Sequence, residues 1–492
     1  MEHEHKKPLL SEDNTVHDLV PIESLDDGDI REINSVADFF REFFSESRKL
    51  WYLAAPTIFN NVAIYGCGVL TQIYSGHLST TQLAAISMEN FVISSISVGL
   101  LGGLGSGLET LCGQAYGAKH LDMLGIYLQK SWIILNSVAI GLVFLFLFAT
   151  QILNLLRQDP EISVEAGKFA RMMIPQHFAF AMYVPLAKFL QAQSKVLEMA
   201  GIAGIAVCLH AISGWILMMK LRWGLFGAAL VLNSTWWFIV MCPLLFVVSG
   251  YCGGAWSGFS WKAFSNLFDF FKLSISAALM ICLEMWYVMA MTLAAGYLPN
   301  PKVSVAALSI CMNINGWSGM VGIGFNSAIS VRVSNTLGSG HPRAAKFSVI
   351  VVGATSFLFG FVVASILLLE RKRFPALFTD NKQIQLLVED LTPFLGVTIV
   401  LNCLQNALYG VTIGAGWQNL VGYINAACYL FLGVPLGVLL GFKFDMGIKG
   451  IWYGLLLGLF LQAATILLVA CNKNWEVEAD TVRARLKLLG KM

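Results

Sequence analysis

Twelve apolar runs, each long enough to cross a bilayer, divide this chain and leave a membrane helix bundle as its natural fold. A helix needs roughly 20 apolar residues to span the hydrocarbon layer. In lipid it must also satisfy its own backbone hydrogen bonds. The runs lie at about 48–74, 84–112, 122–149, 162–190, 197–219, 225–249, 265–296, 303–332, 345–369, 382–413, 419–440 and 447–471. Charged residues make up only 13 % of the chain, where soluble proteins carry about 25 %, so lipid is the solvent for most of it. The expected fold is therefore all-α and polytopic. Residues 38–250 and 265–471 form two six-helix bundles, joined by a polar linker at 251–264 and flanked by tails at 1–37 and 472–492. The first tail is acidic and expected to be disordered.

The two bundles read as copies. Gly76-His77-Leu78 answers Gly296-Tyr297-Leu298, Gly113 to Ala118 answers Ser334 to Ser339, and Gly224 to Gly227 answers Gly447 to Gly450, all at an offset of about 220 residues. Six helices per copy is an even number, so both copies enter the membrane from one side. The expected pseudo-symmetry axis lies along the membrane normal, with a transport path between the halves. An even total places both tails on one face. Basic loop residues do not decide which face that is. Cytoplasmic tails are expected because the first apolar run begins only near Trp51, with no signal peptide ahead of it.

One acid stands in the middle of the seventh run, Glu284. A charge at that depth costs roughly 2.5–3.5 kcal/mol on insertion scales. It is relieved by a bound proton, a wet cavity or a partner, and each of these makes Glu284 a candidate switch; a structural carboxyl bonded between helices is the competing reading. Tyr287 follows by three residues on the same helix side, and Trp286 with Met280, Met285, Met289 and Met291 crowds around. On the tenth run Asn402, Gln405, Asn406 and Tyr409 recur at i, i+3, i+4 and i+7, one polar face that must turn inward. It suits either a solute cavity or interhelical hydrogen bonding. On the eighth, Asn313 and Trp317 continue an inward stripe from Ser309. The first half holds no acid matching Glu284; Glu89 lies near the start of its second run and Glu109 near the end. His177 and His210 are candidate proton carriers, although a lone histidine in a helix is more often a satisfied structural donor. The prolines 56, 175, 185, 243, 393 and 435 lie inside apolar runs, with Pro175 and Pro393 in corresponding positions.

The excluded classes are informative. A net charge of +2 gives no case for nucleic acid. The ten cysteines show no paired spacing for disulfides or zinc. No nucleotide-binding or hydrolase motif occurs, so neither an enzyme nor a cofactor is expected.

Cys112 to Ala118, Cys282 to Tyr287, Arg332 to Asn335 with Leu337-Gly338, and Gly414 to Gln418 resemble the plant DETOXIFICATION proteins of the MATE (multidrug and toxic compound extrusion) transporters. The similarity covers about residues 40–471. It extends, through Phe189 to Gln193, Leu308 to Met312 and Pro342-Arg343, to the branch containing the transparent-testa vacuolar flavonoid transporter. The resemblance implies two V-shaped six-helix bundles and a monomer exchanging protons for small organic solutes. It gives Glu284 the proton-coupling role. Many relatives have a second acid where this chain has Asn402, so a one-proton cycle through Glu284 is expected. The family suggests a vacuolar or plasma membrane, and Leu9-Leu10 behind Glu4 is loosely like a vacuolar sorting signal. A passive anion channel or uniporter on the same fold is the rival reading; a receptor is disfavoured because no sensing domain is evident.

Overall fold

The computed structural model describes residues 29–490 except 31, 296, 299, 300 and 380. Every regular element among them is helical. Helix α1 (Val36–Leu78) carries the phenylalanine-rich lead-in and the first span as one rod, capped at Ser35, whose hydroxyl accepts from the Asp38 amide at 3.1 Å. The second span is α2 (Thr80–Met88), a π-helical turn (Glu89–Ser94) and α3 (Ser95–Gly117). The third is α4 (Leu121–Leu147), followed by the short α5 (Ala149–Leu155). The fourth is broken: α6 (Pro160–Met172) ends where Pro175 sits in the first turn of α7 (Ile174–Ala192). Helices α8 (Val196–Gly214) and α9 (Gly224–Val248) complete the first bundle.

The second bundle comprises α10 (Leu267–Ala295), α11 (Pro301–Ser339), α12 (Pro342–Leu369) and α13 (Lys382–Ala415). Its eleventh span alternates α14 (Gln418–Asn425), a π-helical stretch (Ala426–Gly433), α15 (Val434–Val438) and a second π turn (Leu439–Lys443), and α16 (Gly447–Asn472) is the twelfth. Ten of these helices are long and apolar enough to cross a membrane by composition alone. The α6–α7 pair and the more polar α11 supply the other two of the twelve. Pro393 lies inside an unbroken α13, so the corresponding prolines 175 and 393 break only the first copy.

The internal repeat shows in how the copies touch. A Cβ added to Gly117 would lie 2.0 Å from the Asn335 carbonyl oxygen, and one added to Gly338 would lie 2.2 Å from that of Gln114. Gln114 and Asn335, like Gly117 and Gly338, are equivalent at a common offset of 221 residues. Contact i to j repeated as j to i is the signature of a twofold axis. Higher along α3, Gly99, Gly103 and Gly107 bring its backbone against Met285, Ala278 and Ser274 of α10, a small residue at every fourth position permitting close helix approach.

The side bearing both tails is closed by direct contacts. Arg332 of α11 forms a two-point ion pair with Glu46 of α1, Nε to Oε1 at 2.6 Å and Nη2 to Oε2 at 2.9 Å, with both residues buried. Thr110 donates to the Ile413 carbonyl at 2.6 Å, and Gln114 to that of Gly414 at 3.0 Å. The charged C-terminal tail contains α17 (Trp475–Gly490), whose Trp475, Ala479, Val482 and Leu486 join the largest apolar core. Its Arg485 donates to Gln114 Oε1 at 3.1 Å. Residues 1–28 of the expected disordered tail lie outside the described residues. From Asp29 the chain lies against α12, where the Asp29 carboxylate accepts from the Ala344 amide at 2.8 Å.

Candidate functional site

Glu284 occupies the inner stripe of α10, formed with Met280, Tyr287 and Met291, all three buried. Spacings of four, three and four residues keep these on one helix side. The residue itself is partly buried. The Tyr409 and Gln405 side chains of α13 stand beside its carboxyl. From there a connected polar group runs through the second bundle. Gln405 donates to the Tyr429 hydroxyl at 2.8 Å, and Tyr429 lies 3.5 Å from the Tyr409 hydroxyl. Asn425 donates to Tyr409 at 2.7 Å and to the Met280 carbonyl at 3.0 Å. Gln462 of α16 donates to Asn425 at 3.3 Å. Four spans thus meet around one carboxyl, inside the C-terminal bundle rather than on the seam between the halves.

The remaining residues expected at a site divide among several places. The polar stripe of α13 separates into two rows: Gln405 and Tyr409 face Glu284, whereas Asn402 donates to Asn315 of α11 at 2.9 Å. Asn406 returns a hydrogen bond to the Asn402 carbonyl at 2.9 Å and adjoins Gly322 of α11. Tyr287 is fully buried. Its hydroxyl donates to the Gly454 and Leu455 carbonyls at 2.7 and 3.0 Å, and its ring stacks on Tyr429 at 4.5 Å between centroids. The phenol therefore fastens α10 to α16. Trp286 and Met289 are exposed. Asn313 is exposed too, while Trp317 meets Tyr65 of α1 edge-on at 4.9 Å. Of the four methionines, Met280 and Met291 are core, and Met285 fills the space beside Gly99.

Both histidines are enclosed. His177 has Ser97 Oγ at 2.7 Å from Nδ1 and the Ala139 carbonyl at 2.9 Å from Nε2. His210 sits between the Thr71 and Thr235 hydroxyls at 2.9 and 2.8 Å. With both ring nitrogens engaged, each ties three helices of the first bundle together.

Tyr429, Asn425 and Gln462 complete the group and were not among the expected residues. All three are buried; Tyr429 and Gln462 stand singly in apolar stretches, which was the available signal, whereas Asn425 ends a helix that also carries Gln418, Asn419 and Tyr423.

A family model described as MatE matches residues 56–216 and 276–439. Protein DETOXIFICATION 32 of Arabidopsis thaliana is 52 % identical over 464 residues, covering 94 % of this chain and 90 % of that protein. Protein DETOXIFICATION 29 of the same plant is 51 % identical over 471 residues, 96 % of this chain and 94 % of that protein. The crystal structure of the eukaryotic MATE transporter AtDTX14 superimposes with a TM-score of 0.86 at 33 % identity, covering 90 % of this chain and 99 % of that one. The Vibrio cholerae MATE transporter VcmN in its bent form shares the fold, with a TM-score of 0.76 at 16 % identity over 90 % of this chain and 99 % of that one. Two equivalent six-helix bundles, matched along nearly their whole length, make this chain a member of the MatE family, a plant MATE transporter of the DETOXIFICATION type and not an enzyme.

Proposed function

We propose that this transporter is a proton-coupled antiporter that moves organic solutes out of the cytoplasm, with the vacuole as the proposed destination and Glu284 as the coupling group. The observation that carries the reading is the hydrogen-bond supply around that carboxyl. Ionised, Glu284 only accepts, and Tyr409 and Gln405 beside it each carry a group able to donate. Protonated, it gains an O–H, and the Gln405 amide oxygen is a buried acceptor with no partner in this arrangement. Both charge states therefore find partners in one place, which a two-state coupling group needs. Protonation from the acidic side neutralises the carboxyl and releases solute there; deprotonation on the cytoplasmic side restores the accepting site. Linkage makes the effect reciprocal, each ligand changing the affinity for the other by one factor, typically about 5- to 150-fold.

Vesicle uptake driven by an imposed pH gradient, with a panel of flavonoid glycosides, alkaloids, organic acids and halides, tests the reading. Glu284→Gln should abolish uptake driven by the gradient while leaving solute binding and exchange. Full gradient-driven uptake by that variant overturns the role. A sustained current without a pH gradient would establish a channel instead. A fluorescent fusion at the plasma membrane would overturn the vacuolar assignment alone.

A further inference from the structure

Glu89 opens the π-helical turn between α2 and α3 in the N-terminal bundle. Acids within membrane spans are by default functional, and single π turns inside α-helices gather at functional sites. The side chain is fully buried. Its Oε1 accepts from the Ser94 hydroxyl, whereas Oε2 is buried without a partner. The Ser94 bond depends on the turn. In an α-helix residues five apart point about 140° away from one another, and only i to i+5 geometry stacks them. On the same side of the helix stand Ala85, Ile86 and Ile93, in apolar clusters with Leu153, Ala166 and Phe169.

The charged neighbours turn elsewhere. Helix α6, packed on the turn, keeps Glu161, Lys168 and Arg171 exposed and pairs Glu165 with Lys168 at 2.7 Å. Helix α2 carries no titratable residue. Helix α3 presents Ser97, already engaged by His177. From α1, Tyr74 donates to the Ala211 carbonyl and His77 is exposed. From α9, Asn233 donates to the carbonyls of Met172 and Ala229. Among the described residues no cation meets Glu89, and an ionised carboxylate with one bare oxygen in apolar surroundings is strongly disfavoured.

We propose that Glu89 is a second proton-binding carboxyl, in the first bundle: protonated on Oε2 in this arrangement, and ionised when the π turn relaxes and carries the side chain to water. The proton passes between Oε2 and water, with no other bond made or broken. Its coupling to solute rests on the antiport reading; its binding does not.

Infrared difference spectra of the purified transporter in lipid nanodiscs, taken between about pH 4 and pH 9, separate the two. A carboxylic C=O band should titrate in the parent protein and vanish in Glu89→Gln, with a second band lost only in Glu284→Gln. Ser94→Ala, which removes the hydrogen bond and keeps the acid, should move the Glu89 band and leave the Glu284 band in place. An unchanged band in Glu89→Gln, or an unmoved one in Ser94→Ala, overturns the site. Loss of the Glu89 band alongside an intact Glu284→Gln spectrum would retain Glu89 and reject the coupling role of Glu284. With Glu89 added, the cycle carries two protons in place of the one expected through Glu284 alone, so in vesicles Glu89→Gln should lower the protons moved per solute by about half; an unchanged ratio overturns its part in coupling.

Discussion

Tyr287 and Glu284 lie three residues apart on α10 and have separate duties. Tyr287→Phe removes a donor to two buried carbonyls, a loss of about 0.5–1.5 kcal/mol. The expected result is a lower melting temperature of the purified protein with gradient-driven uptake retained; lost uptake at unchanged stability would place the phenol in the transport path. On α13 the two rows predict different outcomes. Gln405→Ala removes a polar neighbour of Glu284 and a donor to Tyr429, so uptake driven by a pH gradient should fall severalfold. Asn402→Ala breaks a bond to α11 and should lower stability more than it lowers coupling. Equal transport losses in the two variants would refute the separation. Glu284 was legible in the sequence because an acid in an apolar run has few bland explanations. Residues 402, 405, 406 and 409 were legible as an inward face. Their division was not, because the rows 402/406 and 405/409 are adjacent on one helix and only the partners α11 and α10 distinguish them.

At the scale of helices, the glycines at every fourth position of α3 gained a specific partner. In the sequence Gly99, Gly102, Gly103, Gly105 and Gly107 crowd one helix end, which permits close packing but does not say which of them meets a helix or which helix approaches. The structure brings in α10, whose Ala278 Cα would lie 2.5 Å from a Cβ on Gly103. That contact is backbone and cannot yield by a rotamer change. Gly103→Val should therefore destabilise the fold by about 1–3 kcal/mol, read as a fall in melting temperature and in monodisperse yield. Gly102→Ala, where nothing lies within 4 Å, is the matched control and should be near neutral. The π-helical stretches were invisible beforehand: Glu89–Ser94 and Ala426–Gly433 carry ordinary helix-forming residues, and the extra residue in a turn is set by tertiary contacts rather than by periodicity.

The architecture of the whole molecule was legible from its twelve runs and its repeat, since each copy has the length and polarity of a bundle. The means of closing one end were not, because its partners lie hundreds of residues apart: Glu46 with Arg332, Gln114 with Arg485. Arg332 and Glu46 are both nearly inaccessible, so breaking the pair leaves one buried charge, a cost of roughly 3–5 kcal/mol. Replacing both by apolar residues of similar volume is often neutral. Arg332→Ala alone should consequently loosen the tail side, whereas Glu46→Leu combined with Arg332→Met should restore it. Cys112 is a native reporter, fully buried on α3 one residue from Gly113, which packs on Ser334. Cys311, buried in the core of the second bundle, is the internal control. Peptide-resolved maleimide labelling should rise at Cys112 and not at Cys311 in Arg332→Ala, and return to the parent level in the double variant. If single and double variants label alike, the charges themselves do not hold this end shut, and closure rests on the interlocked Gly117–Asn335 and Gly338–Gln114 contacts and the buried face of α17.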